Sequence, residues 1–97
     1  MVEIKEVAFV VRNEEDLWEC TRSALGLAVE NFYVSLFVLD FEVKLTDALK
    51  ENMEWLQDLE VSLYSNNQTN ADSGHFQYKG LSEIGEGLNH HDLVITF

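Results

Sequence analysis

The residues best placed for chemistry follow the predicted strands, and the clearest such position is the junction between Tyr64 and Ser65. A β-prone, alternating segment ends there and passes into six polar residues, Ser65 to Asn70. Because ligands of open α/β sheets bind outside the carboxyl ends of the strands, this junction is expected to line a crevice. It offers a hydroxyl and amides, with no thiol, carboxylate or imidazole. The residues predicted to line the crevice are Arg12, Asn13, Asp40, Ser65, Asn66 and Asn67.

Arg12 supplies the positive charge of this predicted crevice. Its guanidinium can hold a small anion through charge-assisted hydrogen bonds. The alternative is that the six residues are solvated strand ends with no ligand. Both interpretations remain open at the level of the sequence.

The chain has one cysteine, Cys20, in the first predicted helix. A nucleophilic thiol needs nearby positive charge or a helix N-terminus to lower its pKa. Asp16 and Glu19 act in the opposite direction, whereas Arg22 favours ionisation. Cys20 also lies more than one turn into the helix, so a structural, semi-buried thiol is favoured over a reactive one. A single cysteine excludes an intramolecular disulfide, which suits a reducing compartment.

The histidines form no evident metal site. His90 and His91 are adjacent and do not face one another on a helix, so a shared metal would need a turn and a third ligand such as His75. Surface turn histidines explain the same pattern, and Asp92 is predicted to begin a strand. The first strand runs into Arg12 instead of the acidic pair of a response-regulator-like site. There is no Walker motif or zinc-ligand spacing, so neither a metal nor a cofactor is expected.

Composition and charge set the class of protein. The 97 residues form a single predicted domain, residues 1–97, and 46% hydrophobic content can supply a modest core. Eighteen acidic and six basic residues give a net charge of −12, which disfavours nucleic-acid binding. There is no signal-peptide pattern, and the apolar runs are far shorter than the roughly 20 residues of a membrane span. A soluble cytoplasmic protein is expected.

Hydrophobic patterning predicts alternating strands and helices. The uninterrupted apolar run over residues 7–11 is typical of a strand that is buried on both faces. Asn13 is a favourable N-cap before an acidic first turn, and Thr46 or Asp47 is predicted to cap the second helix. Leu45, with Leu49, Met53 and Leu56, is predicted to form the apolar stripe of that helix. The predicted strands cover residues 4–12, 32–39, 61–64 and 92–97, the predicted helices cover 14–28, 47–58 and 81–89, and a turn is predicted at 30–31.

This order predicts a three-layer α/β/α sandwich with a mainly parallel sheet of four to five strands. Four strands and three helices are counted directly from the pattern. A flavodoxin-like order, with the first strand inside the sheet, is the favoured winding. The polar, glycine-containing segment from Ser65 to Gly80 is predicted to be a long functional or mobile loop.

The chain resembles the DsrE-like family of small sulfur-relay proteins over nearly its whole length. The similarity lies in residues 22–28 (RSALGLA), 34–39 (VSLFVL), 61–65 (VSLYS) and the ending, with GLSE at 80–83, Gly85 and DLVITF at 92–97. None of these stretches is specific alone, and their order and spacing carry the resemblance. The family implies the same fold and an oligomeric habit.

The resemblance also implies a position for sulfur chemistry. Sulfur-carrying members have a persulfide-accepting cysteine just after the third strand, a position that maps to Ser65, give or take one residue. A serine cannot carry a persulfide, so the resemblance implies a non-catalytic oligomeric subunit, with itself or related DsrE-like subunits as partners, in intracellular sulfur metabolism. Trp18 and Trp55 are predicted at helix edges and can lie between subunits. The alternative is a sulfur carrier using Cys20, or a small-anion-binding enzyme using Arg12 and Ser65.

Overall fold

The computed structural model describes residues 5–30 and 32–97. The described residues form five strands and four helices in strict α/β alternation. Their bounds are β1 (Glu6–Val11), α1 (Glu14–Val29), β2 (Tyr33–Val38), α2 (Asp47–Asp58), β3 (Ser62–Ser65), α3 (Gln68–Asp72), β4 (Gln77–Tyr78), α4 (Leu81–Leu88) and β5 (Leu93–Thr96). The predicted start of the first strand at Ile4 and the predicted turn residue Asn31 lie outside the described residues.

The five strands form one parallel sheet in the order β4-β3-β2-β1-β5. The predicted parallel α/β sandwich is therefore confirmed, and β1 is an internal strand as expected. The order differs from the predicted flavodoxin-like winding, in which β1 lies between β2 and β3. Here β1 lies between β2 and β5.

The placement of the helices explains this order. Buried residues of α1 and α2 share a core with one face of the sheet, and Ile84 of α4 packs on the other face. With right-handed crossovers, helices on one face carry the chain across the sheet in one direction, and a helix on the opposite face carries it back. The chain thus runs from β1 outward to β4, and α4 returns it to the free edge of β1.

The alternation of side chains along the strands divides the core in two. Val7, Phe9 and Val11 face α1 and α2, whereas Ala8 and Val10 face α4. All five are buried, which confirms the prediction from the apolar run that β1 is covered on both faces. Among the helices of the described chain, none is both long and apolar enough to cross a membrane.

Two predictions about local structure were wrong. The segment from Ser65 to Gly80 was predicted to be a loop, but it contains the five-residue helix α3 and the two-residue strand β4. Elements this short show no hydrophobic period, so patterning does not reveal them. Leu45 was placed in the stripe of α2, but it precedes that helix and is exposed. The helix begins after Thr46, whose hydroxyl accepts a hydrogen bond from the Leu49 amide at 3.2 Å.

Candidate functional site

The predicted crevice residues lie at the carboxyl ends of neighbouring strands. Because β1, β2 and β3 are parallel neighbours, Arg12, Asp40 and Asn66 all follow strands at the same end of the sheet. These residues differ in how deeply their side chains are buried. Ser65 is fully buried, Asn66 and Asn67 are half-buried, and the other predicted residues are exposed.

Ser65 is the centre of a hydrogen-bond network. Its hydroxyl donates to the Val38 carbonyl at 2.8 Å, and it accepts from the Asn67 amide at 3.1 Å and from Asn70 Nδ2 at 3.0 Å. One donor and two acceptor sites exhaust what a hydroxyl can offer. Ser65 therefore has no capacity left for a ligand in this arrangement.

Asn70 was not among the predicted site residues, yet it holds the adjoining loop in place. It is buried, and its Nδ2 donates to the Phe41 carbonyl at 2.9 Å as well as to Ser65. Its Oδ1 accepts from the Val43 amide at 2.8 Å. The only signal in the sequence is the spacing of Asn67 and Asn70, since the Asn67 side chain caps α3 by accepting from the Asn70 amide. We call Ser65, Asn67 and Asn70 the hydroxyl–amide cluster.

Asp40 and Asn66 bind each other reciprocally. Asn66 Nδ2 donates to Asp40 Oδ1 at 2.9 Å, and the Asp40 amide donates to Asn66 Oδ1 at 2.9 Å. Asp40 has a φ of 68°, a left-handed conformation that aspartate tolerates better than most residues. These two hydrogen bonds join the end of β2 to the end of β3, so both side chains have a structural role there.

Arg12 and Asn13 lie apart from these contacts. Asn13 occupies the N-cap position of α1, as predicted, but its side chain makes no capping bond and instead donates to Asp16 Oδ2 at 3.4 Å. The Arg12 side chain is exposed and forms no hydrogen bond or ion pair with any residue that the structure describes. Arg12 is therefore the one member of the predicted set whose side chain has no partner among the described residues.

Cys20 is completely buried between α1 and the sheet. Burial, assisted by the negative charge of Asp16, raises the pKa of the thiol from 9.0 to about 12. The thiol is thus protonated at neutral pH and inaccessible to a sulfur donor. This geometry favours the structural interpretation of Cys20 over the reactive one.

No group of three histidine, cysteine, aspartate or glutamate residues in the described chain is arranged to hold a metal. His91 Nδ1 donates to the Gly87 carbonyl at 2.8 Å, and its ring meets the edge of Phe37. Asp92 accepts from the amides of Lys5 and Glu6 at 3.0 and 2.9 Å, so it joins the start of β5 to β1. These hydrogen bonds lower the pKa of Asp92, with the Glu6 amide contributing most.

A second candidate surface lies on the outer side of α1 and α2. Two adjoining hollows of about 330 and 460 Å³ share Leu25, Val29 and Trp55 as walls. Trp55 is 52% exposed and Val29 62% exposed, although both are large apolar residues. We call this surface the helix-face groove, and its lining residues are Arg22, Leu25, Gly26, Val29, Glu30, Asn52, Trp55, Asp58 and Leu59.

Asn52 lines the helix-face groove and is the unusual polar residue there. Its Nδ2 is buried and has no hydrogen-bond partner within the described part of the chain. Leaving such a donor unpaired costs about 1–3 kcal/mol. A buried, unpaired amide beside exposed apolar side chains is the pattern expected of a surface that lacks its partner.

No protein-family model matches the chain, and no curated protein matches it in sequence. The resemblance to the DsrE-like family therefore stays a prediction.

Proposed function

We propose that this protein is a non-catalytic, DsrE-like interaction subunit that binds a second copy of itself through the helix-face groove. The proposal rests on the exposure of Trp55, whose side chain is 52% exposed beside an apolar hollow. The same hollow is lined by Asn52, whose buried amide nitrogen has no partner among the described residues. Through the resemblance, the proposal extends to intracellular sulfur metabolism and to related DsrE-like subunits as further partners.

The absence of catalysis is supported by the two residues that could have carried sulfur. Ser65 occupies the position of the family's persulfide cysteine, and its hydroxyl is used within the hydroxyl–amide cluster. Cys20 is buried, and its pKa is raised to about 12. Neither side chain offers an accessible nucleophile in this structure.

The groove is suited to a copy of itself because exposed apolar side chains, Val29 and Trp55, lie next to its hollows. A two-fold symmetric interface uses the same patch on both subunits and must be self-complementary. The indole of one subunit can enter the hollow of the other, next to Asn52. A half-turn of the Asn52 amide exchanges its nitrogen and oxygen, so a carbonyl of the partner can then accept from it.

Charge sets the conditions under which such a dimer forms. Each chain carries a net charge of −12, and the charged residues that line the groove are two acids, Glu30 and Asp58, and one cation, Arg22. Two such chains repel one another at low ionic strength, and salt screens that repulsion. Association is therefore expected to strengthen as salt rises, because apolar burial and not ion pairing drives it.

Sedimentation equilibrium at micromolar concentration tests the proposal with a pair of matched variants. Val29→Arg places a charge in the groove, and Leu81→Arg makes the same charge change at an exposed residue of α4, on the opposite face of the sheet. Both substitutions reduce the net negative charge, so added repulsion cannot explain a loss of association.

We expect a dimer for the wild type and for Leu81→Arg, and a monomer for Val29→Arg. A wild type that remains monomeric even at high salt would contradict the proposal. So would a Val29→Arg variant that associates as strongly as the wild type.

A further inference from the structure

The face of the sheet that carries α4 is incompletely covered. α4 has only eight residues, and Val94 of β5 remains 40% exposed although it points to the same face as buried Ala8 of β1. Beside α4 lies a cavity of about 420 Å³, within the size range of small-ligand sites. We call it the switch-point cavity, and its lining residues are Val10, Arg12, Leu39, Leu88, Val94, Thr96 and Phe97.

The topology places this cavity where open α/β sheets bind ligands. The chain leaves β1 towards β2 on one side, and it returns through β5 on the other side, so the strand order reverses between β1 and β5. Ligands bind outside the carboxyl ends of strands at such a reversal. Arg12 directly follows β1 and Thr96 ends β5, so the cavity opens at the carboxyl ends of the two strands concerned.

The lining defines the chemistry of the ligand. Five of its seven residues are apolar, and the polar groups are the Arg12 guanidinium and the Thr96 hydroxyl. No aspartate or glutamate is among the lining residues. The Arg12 guanidinium has no partner in the described chain, and its planar fork of donors can accommodate a carboxylate through two parallel hydrogen bonds.

The surrounding charge excludes a ligand with many negative charges. The net charge is −12, and the first turn of α1 carries Glu14, Glu15 and Asp16, where a phosphate-binding fold would leave the helix N-terminus open. A nucleotide or an oligophosphate would be repelled by both. A single carboxylate matches the single guanidinium, and an apolar body matches the walls.

We propose that the switch-point cavity binds an aliphatic monocarboxylate, with the carboxylate on Arg12 and the chain against Val10, Leu88 and Val94. This site lies on the opposite face of the sheet from the helix-face groove. It does not depend on self-association, and it can be tested on the Val29→Arg variant whether or not the wild type is a dimer.

Titration followed by amide NMR shifts tests the site directly, with octanoate as the probe. 1-Octanol is the matched probe without charge, and inorganic phosphate is the matched probe without an apolar body. Arg12→Gln removes the charge while keeping hydrogen-bonding capacity. Lys44→Gln makes the same charge change at an exposed residue outside the cavity and serves as the control.

We expect saturable octanoate shifts centred on residues 10–12, 39, 88 and 94–97, with weaker binding of octanol and none of phosphate. Arg12→Gln should weaken octanoate binding by about tenfold and leave octanol unchanged, because a charge-assisted pair is roughly twice as strong as a neutral one. Lys44→Gln should bind as the wild type does. The proposal is overturned if octanoate causes no saturable shifts, if phosphate binds as well, or if Arg12→Gln binds octanoate normally.

Discussion

Replacing Ser65 with alanine tests whether this residue is a structural centre, as its contacts indicate. Ser65→Ala removes one donor to the Val38 carbonyl and one acceptor shared by the Asn67 amide and Asn70 Nδ2. Asn70 Nδ2 retains its hydrogen bond to the Phe41 carbonyl. The Asn67 amide has no such second acceptor, so it loses its hydrogen bond. The substitution therefore breaks three hydrogen bonds and leaves at least one donor without its acceptor.

The expected loss follows from these contacts. Each net hydrogen bond contributes about 0.5–1.5 kcal/mol, so the three together amount to roughly 1.5–4.5 kcal/mol. Partial relaxation of α3, which is only five residues long, favours the middle of that range. We expect the free energy of unfolding to fall by about 2–3 kcal/mol, which corresponds to a decrease in Tm of roughly 10–20 °C for a domain of this size.

Urea unfolding followed by tryptophan fluorescence measures this loss, because Trp18 and Trp55 lie on the two long helices. Ser62→Ala is the matched control. Ser62 lies in the same strand and is half-buried, and its hydroxyl forms no hydrogen bond with the described residues. We expect Ser62→Ala to stay within about 0.5 kcal/mol of the wild type. A Ser65→Ala variant as stable as this control would refute the structural role of the hydroxyl.

The other predictions concern ionisable and polar side chains. Cys20 should resist thiol reagents at pH 8 in the native protein and react fully in guanidinium chloride; rapid native labelling would contradict its burial. The pKa of Cys20 is about 12 in the folded protein and 9.0 in the unfolded chain, so the stability that the thiol contributes is complete below pH 9.0 and is lost as pH rises towards 12. Cys20→Ala should lessen this decline when the free energy of unfolding is measured against pH. The pKa of Asp92 is lowered, so its contribution is present above the ordinary value of 3.8 and is lost as pH falls through the lower folded value. Asp92→Ala should accelerate hydrogen exchange at the Lys5 and Glu6 amides, and unchanged exchange would show that the carboxylate does not hold them. Asn52→Leu should leave the monomer at least as stable in urea unfolding but weaken self-association in sedimentation, and normal association would exclude this amide from the interface.

Patterning predicted those parts of the fold in which burial follows a simple period. The apolar run of β1, the stripe of Leu49, Met53 and Leu56 on α2, and the cap at Thr46 are local features, and the structure contains each of them. The strand order was harder to predict, because it depends on which face each crossover helix takes. In this chain α4 packs on the opposite face of the sheet from α1 and α2, and no local feature of the sequence indicates this.

The placement of the candidate residues at the strand ends could be predicted from the sequence, but the contacts of their side chains could not. The predicted parallel strands correctly placed Arg12, Asp40 and Asn66 at the same end of the sheet, just after the strands finish. Whether a polar side chain at that edge faces solvent or bonds to the chain is decided by residues far away in sequence. Ser65 meets the Val38 carbonyl 27 positions earlier, and Asn70 meets the Phe41 carbonyl 29 positions earlier. Such long-range pairing has no local sequence signature.

The hydroxyl–amide cluster also explains why the unused binding capacity lies elsewhere in this molecule. The end of β3 is the strand end at which the sequence predicted chemistry. Here the same strand end is closed by internal hydrogen bonds that fix β3, α3 and the loop after β2 to one another. With the end of β3 closed, the binding surfaces that remain are the switch-point cavity at the ends of β1 and β5 and the helix-face groove on α1 and α2. Each surface carries a group without a partner among the described residues, Asn52 on the side of α1 and α2 and Arg12 on the side of α4. Since the sheet separates these groups, a substitution that abolishes binding on one side should leave binding on the other side intact.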